Sequence, residues 1–193
     1  AIVEEKDADD FQKLIKEINT GIICFDKNSV AGALKKVRPN KRKKEYYLTD
    51  VVGILYKSGA LIESLELSDL NESLGVNSRV ELSKAQAIMQ QRINEKLMRS
   101  GITMVDPKTV FVSFDARIGE DTIIYPFTVI EKNVRIGSHC VIGPFIRLRQ
   151  GTILKDKVTA GNFLEISRSV VGCNTHVKHF GFIGDSRIGD SVN

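Results

Sequence analysis

Residues 130–160 read IEKNVRIGSHCVIGPFIRLRQGTILKDKVTA, and counting through them in sixes meets Ile130, Ile136, Ile142, Leu148, Leu154 and Ala160. The count extends back to Ile124, Ile118 and Val112 and forward to Ile166 without meeting a charged or large polar side chain. A fixed short period marks a repeat architecture, and one inward aliphatic every six residues is the hexapeptide form of the parallel β-helix. Each flat face of such a coil is a short strand whose central aliphatic stacks on its equivalents above and below. Gly119, Gly137, Gly143 and Gly161 follow the aliphatic position, where the chain is expected to bend.

Beyond Ile166 the next aliphatic comes five residues later, at Val171; the sixes return through Val177 and Ile183, and a second five-residue step leads to Ile188. These shortened steps bracket His179 and are places where a site could be built. The sequence starts at Ala1 without a methionine and stops at Asn193 in mid-repeat, so it is expected to be an interior fragment of a longer protein.

The first eighty residues have a different pattern. Residues 18–25, INTGIICF, form a near-continuous apolar run expected of a strand buried on both faces, and Leu61 to Leu67 reads as another. Between them, Ser29 is expected to cap a helix over Val30 to Val37, and Thr49 with Asp50 a helix over Val51 to Tyr56 that Gly59 stops. Strands alternating with helices predict the last part of an α/β domain, over residues 1–81. From Ser83 to Ser100 the pattern is helical, with Ile88, Met89, Ile93 and Leu97 on one stripe; this is the connecting arm of residues 82–104. Residues 105–193 are the truncated β-helix.

Composition adds exclusions. A formal net charge of +4 is mild, and the densest basic run, Lys41 to Lys44, reads as a solvated loop rather than a nucleic-acid surface. Three cysteines, Cys24, Cys140 and Cys173, are odd in number and far apart, which argues against a disulfide framework. With no apolar stretch of membrane-spanning length, the protein is expected to be cytoplasmic, with no membrane or nucleic-acid partner. Cys173, His176 and His179 recur every third residue, but residues three apart on a strand face opposite ways, so scattered side chains are the plainer reading than a zinc site.

Asn19-Thr20-Gly21 interrupts an apolar strand with polar groups, and Gly75-Val76-Asn77-Ser78-Arg79 is a second polar turn before the arm. Alone, each reads as a turn. With Ile2-Val3-Glu4-Glu5-Lys6-Asp7-Ala8, Glu45-Tyr46-Tyr47-Leu48-Thr49-Asp50, Ile142-Gly143-Pro144-Phe145-Ile146-Arg147-Leu148-Arg149 and Gly161-Asn162-Phe163, they resemble, in order, motifs of one family. It is the bacterial bifunctional N-acetylglucosamine-1-phosphate uridyltransferase and glucosamine-1-phosphate acetyltransferase.

The resemblance implies a Rossmann-like nucleotidyltransferase part, a helical arm and a left-handed β-helix that trimerises. It implies UMP transfer from UTP to N-acetylglucosamine 1-phosphate, giving UDP-N-acetylglucosamine and pyrophosphate. There Glu4 and Asn19 would bind the sugar, and Asn77 would ligate Mg2+ together with an aspartate that this sequence does not contain. The family's Gly-rich nucleotide loop is also missing, so this stretch alone is not expected to transfer UMP. In the β-helix the resemblance implies acetyl transfer from acetyl-CoA to glucosamine 1-phosphate, with His179 as general base, Arg149 on the acceptor phosphate and Asn193 at the acceptor site. An imidazole titrates near neutral pH and can free the amine for attack. Three positions depart from the family: Ser167 replaces an acceptor-binding lysine, Phe182 a tyrosine, and Gln150 a proline. Three readings follow: a bifunctional sugar-nucleotide enzyme, a nucleotidyltransferase whose β-helix only trimerises, or a non-catalytic hexapeptide scaffold.

Overall fold

The structure is a computed structural model that describes residues 2–40 and 44–193. Of the basic run, Lys41, Arg42 and Lys43 lie outside the described residues. The chain forms two compact units, Ala1–Ser73 and Leu74–Asn193.

In the first unit, helix α1 (Lys27–Leu34) packs on helix α2 (Asp50–Lys57), burying Ala33 and Val51. The cap of α1 is Asp26, whose carboxylate accepts from the Ser29 N–H at 2.8 Å, so Ser29 lies inside the helix rather than capping it. Gly59 ends α2 with a φ of +82°, as its position predicted. Neither expected strand forms: 18–25 and 61–67 have no ladder partners, and Ile18, Ile22 and Leu65 are exposed. A strand persists only where neighbours take up its backbone groups, and among the described residues this unit contains no other strand.

The second unit opens with helix α3 (Arg79–Arg99), which starts four residues before the expected Ser83. Ser78 accepts from the Glu81 N–H and Glu81 Oε2 accepts from the Asn77 N–H at 2.8 Å, a reciprocal capping box that fixes the start. Ile93, Leu97 and Met98 pack against the end of the β-helix core. Asn94, on the same face, is buried; its Nδ2 donates to the carbonyls of Pro107 and Val110 at 2.8 and 2.9 Å, and its Oδ1 accepts from Gln90. Asn94→Leu removes the donor from two carbonyls and is expected to cost about 2 to 4 kcal/mol. Urea unfolding followed by circular dichroism checks this, and an unchanged midpoint would refute it.

From Thr103 onward the chain is a left-handed parallel β-helix of three faces, in which every strand pair is parallel. The counted positions point inward: Val112, Ile124, Ile130, Ile136, Ile142, Leu148, Leu154, Ala160, Ile166 and Val171 are buried, and Ile118, Val177, Ile183 and Ile188 pack partly buried around them. They stack coil on coil, as in Ile124↔Ile142↔Ala160↔Val177. A second inward column two residues earlier, including Val134, Cys140, Ile146, Val158 and Leu164, is also buried. In that column Thr122, Thr152 and Thr175 turn their hydroxyls onto the carbonyls of Gly137, Ile166 and Gly189.

Of the four glycines expected at bends, only Gly143 bends the chain through a positive φ, of +90°. The other bends fall about three residues after each inward aliphatic, at left-handed residues that recur with the same step: Asp121, Phe127, Asn133, His139, Phe145, Gly151, Lys157, Phe163, Arg168, Asn174, Phe180, Asp185 and Ser191. Gly119, Gly137 and Gly161 are required for another reason, since a Cβ on any of them would enter the backbone of the following coil. The short steps share one corner: Arg168 and Asp185 lie one coil apart, where the turn has lost a residue.

Candidate functional site

At that shortened corner, charges from adjacent coils face one another. Arg147 donates to Glu131 through Nε and Nη2 at 2.8 and 2.7 Å, and Arg149 Nη1 donates to Glu165 at 3.0 Å. Arg168 grips Asp185 with both Nε and Nη2, each at 2.6 Å, while its Nη1 donates to Ser167 Oγ at 3.0 Å. Around these pairs lies an open cleft of about 370 Å3 lined by Glu131, Arg149, Gln150, Gly151, Ser167 and Arg168.

The electrostatics follow from the pairing. Partial burial disfavours the charge on Glu131, but hydrogen bonds from Arg147 and the Gln150 N–H, with both arginine charges, outweigh it and lower its pKa. The Arg168 hydrogen bonds lower the pKa of Asp185, and Asp185 raises that of Arg168. A carboxylate lowered on folding contributes above its unfolded pKa, so the clasp is intact at neutral pH and opens as pH falls through the acidic range.

Arg149 is therefore in the cleft and Ser167 forms its wall. The Ser167 side chain is buried, with its carbonyl accepting from the Asp185 N–H and the Ser169 hydroxyl. Phe182, exposed, lays its ring over Gly184, the residue in register with Ser167. The sequence reading found Arg149, Gln150 and Ser167 here, but missed Glu131, Glu165, Arg168 and Asp185. The signal for them is opposite charges spaced by about one coil, at 131/147, 149/165 and 168/185.

His179 does not line this cleft. It sits in the nine-residue strand His176–Gly184, opposite Asn162 one coil below and next to the left-handed corner at Phe180. Its exposed imidazole meets the Phe180 ring edge-on at a centroid distance of 6.3 Å and makes no hydrogen bond within the described residues. Phe180 ends a ladder, with Phe127, Phe145, Phe163 and Phe180 stacked at 4.8, 5.1 and 5.2 Å along one corner. Their rings remain about half exposed or more, from 46% for Phe145 to 75% for Phe180. Asn193 is exposed beyond the strand Arg187–Ile188. Within one chain, then, Arg149 has a cleft and His179 has open solvent.

In the first unit, Glu4 lines a second cleft with Asp7, Arg38, Asn40, Tyr47 and Asp50. Asn19 is outside it, its Oδ1 accepting from the Gly21 N–H at 3.2 Å in a local turn. Asn77 belongs to the second unit, at the start of α3. Magnesium takes several oxygen ligands. Among the described residues no three His, Cys, Asp or Glu side chains converge on one point, and one amide does not make a magnesium site, so these residues do not by themselves hold that ion. The same observation leaves Cys173, His176 and His179 scattered on the coil. Among the described residues no helix is long and apolar enough to cross a membrane.

Comparison with known proteins agrees with the coil. Residues 115–145 match the family described as bacterial transferase hexapeptide (six repeats). Along its entire length the chain is 42% identical to a bifunctional protein GlmU of Heliobacterium modesticaldum and 42% to that of Thermosipho africanus, covering 49% of each. It is 38% identical to the GlmU protein of Shouchella clausii, covering 50%. The chain thus spans about half the length of the curated relatives it matches.

Proposed function

Because this chain is related along its whole length to one half of the bifunctional GlmU proteins, we propose that it carries their acetyl-transfer step: acetyl-CoA to the amine of glucosamine 1-phosphate. The observation that supports this most is the β-helix itself, with an arginine-bearing cleft at Arg149 and an unencumbered imidazole at His179 two coils further on.

In this reading, the His179 imidazole takes a proton from the acceptor ammonium, and the freed amine attacks the thioester carbonyl. The tetrahedral adduct collapses to the amide as the C–S bond breaks, and the proton remaining on nitrogen goes to the departing CoA thiolate. Products are N-acetylglucosamine 1-phosphate and CoA, and the imidazolium returns its proton to solvent. Arg149 holds the acceptor phosphate, and Asn193 adds an amide to the acceptor site. Since His179 lies outside the Arg149 cleft, the reading includes a homotrimer in which a neighbouring copy completes the site. The half-exposed phenylalanine ladder supports that association, as exposed apolar surface does generally. In the longer protein, Glu4, Asn19 and Asn77 serve the magnesium-dependent transfer of UMP from UTP to N-acetylglucosamine 1-phosphate.

The full-length protein incubated with acetyl-CoA and glucosamine 1-phosphate is expected to release CoA. No release above background from folded protein would refute the acetyl-transfer reading. A second reading, a β-helix kept for assembly alone, is favoured by one observation: Ser167 is buried and Phe182 has no hydroxyl where the family presents two polar groups. Pyrophosphate release without CoA release is its signature.

A further inference from the structure

We propose that Arg168 is a second phosphate-holding residue of this protein, acting with Arg149 across the shortened corner and held in place by Asp185. The proposal rests on the acetyl-transfer reading for the identity of the acceptor, and on the cleft for the contact itself.

Arg149 and Arg168 line the same cleft, together with Gln150. Asp185 occupies one edge of Arg168, taking one proton each from Nε and Nη2, and Ser167 takes one from Nη1. A guanidinium has five N–H donors, so the second protons of Nη1 and Nη2 are left on a side chain whose rotation is already blocked. Arg149 spends only Nη1 on Glu165. Three arginines and three carboxylates make the corner neutral as a whole, so an anion is selected by aimed donors rather than by a long-range field. A tetrahedral phosphate monoester, with three terminal oxygens, matches donors arriving from two sides. The step from Ile166 to Val171 is what permits this: with a residue removed from the turn, Arg168 takes the left-handed corner position beside Ser167 and stacks on Gly151, whose absent Cβ would contact Arg168. Asp185 is a positioning residue here, since it touches Arg168 and not the acceptor.

The test is Arg168→Asn, because asparagine tolerates the left-handed φ of 46° at this corner and keeps the turn. In the full-length protein, the KM for glucosamine 1-phosphate is expected to rise by about tenfold to a hundredfold, with kcat and the KM for acetyl-CoA changing less than about threefold. Preference for glucosamine 1-phosphate over glucosamine should shrink by the same factor, and Arg168→Lys should recover part of it. Calorimetric binding of glucosamine 1-phosphate without acetyl-CoA separates the two readings. Wild-type binding weakened by Arg168→Asn supports the proposal even if no CoA is released, which would defeat only the acetyl-transfer reading. Turnover with an unchanged KM in Arg168→Asn overturns the proposal and leaves acetyl transfer standing. Absence of wild-type binding together with absence of CoA release overturns both.

Discussion

Replacing Gly161 by alanine is expected to destabilise the β-helix by about 3 to 5 kcal/mol. Gly161 is buried, and a Cβ there would enter the carbonyl of Lys178, backbone to backbone, with no flexible side chain to move aside. Its flanks are paired in the ladder, Ala160 with Val177 and Asn162 with His179, so the strands can separate only by giving up those hydrogen bonds. That ladder joins the strand of Glu165 and Ser167 to the strand of His179, so acetyl transfer should fall with stability. Gly181→Ala is the control: its Cβ would lie 3.4 Å from the end of the Leu164 side chain, an ordinary contact, and the cost should stay under about 1 kcal/mol. Urea midpoints at unchanged m-value measure both. Equal loss in the two variants would show that the coils yield at Lys178 and that the close approach does not govern stability.

Loss of the imidazole in His179→Ala is expected to reduce CoA release by about 10² to 10⁴-fold, the range for removal of a general base. The fold should not register the change, because His179 is exposed and makes no hydrogen bond within the described residues. Steady-state rates with saturating acetyl-CoA and glucosamine 1-phosphate, paired with a thermal unfolding curve, separate a chemical effect from a structural one. The loss should appear in kcat, in contrast to the KM effect at Arg168, because a base acts on the transition state whereas a phosphate clamp acts on bound substrate and transition state alike. A change of less than about threefold would place the base elsewhere.

The two five-residue steps illustrate how far spacing could be read. Their positions were visible in the sequence, and a cleft lies at the corner they share. Which residues form it was not visible, because the lost residue brings Arg168 and Asp185 together across coils, and His179, which the steps bracket, faces a different corner. The glycines show the opposite case. Their spacing was correct, and at Gly143, with its φ of +90°, so was the reason; Gly119, Gly137 and Gly161 instead follow an aliphatic because the next coil passes too close for a Cβ, while most left-handed bends fall on residues other than glycine, phenylalanine and asparagine among them.

The first unit shows what pattern cannot supply. Residues 18–25 have the composition of a buried strand, but composition states only what a segment can bury, and among the described residues of this unit no strand pairs with it.

What the sequence determined by itself is the coil, with its six-residue period and its inward column, and the end of the helix before it. All of these are local, set by side-chain alternation along a strand and by caps within four residues of a helix end. Only the tertiary structure decided which side chains share a cleft. Residues 131, 147, 149, 165, 168 and 185 become neighbours through stacking of successive coils, and opposite charges meet there only because the rise of one coil places them side by side.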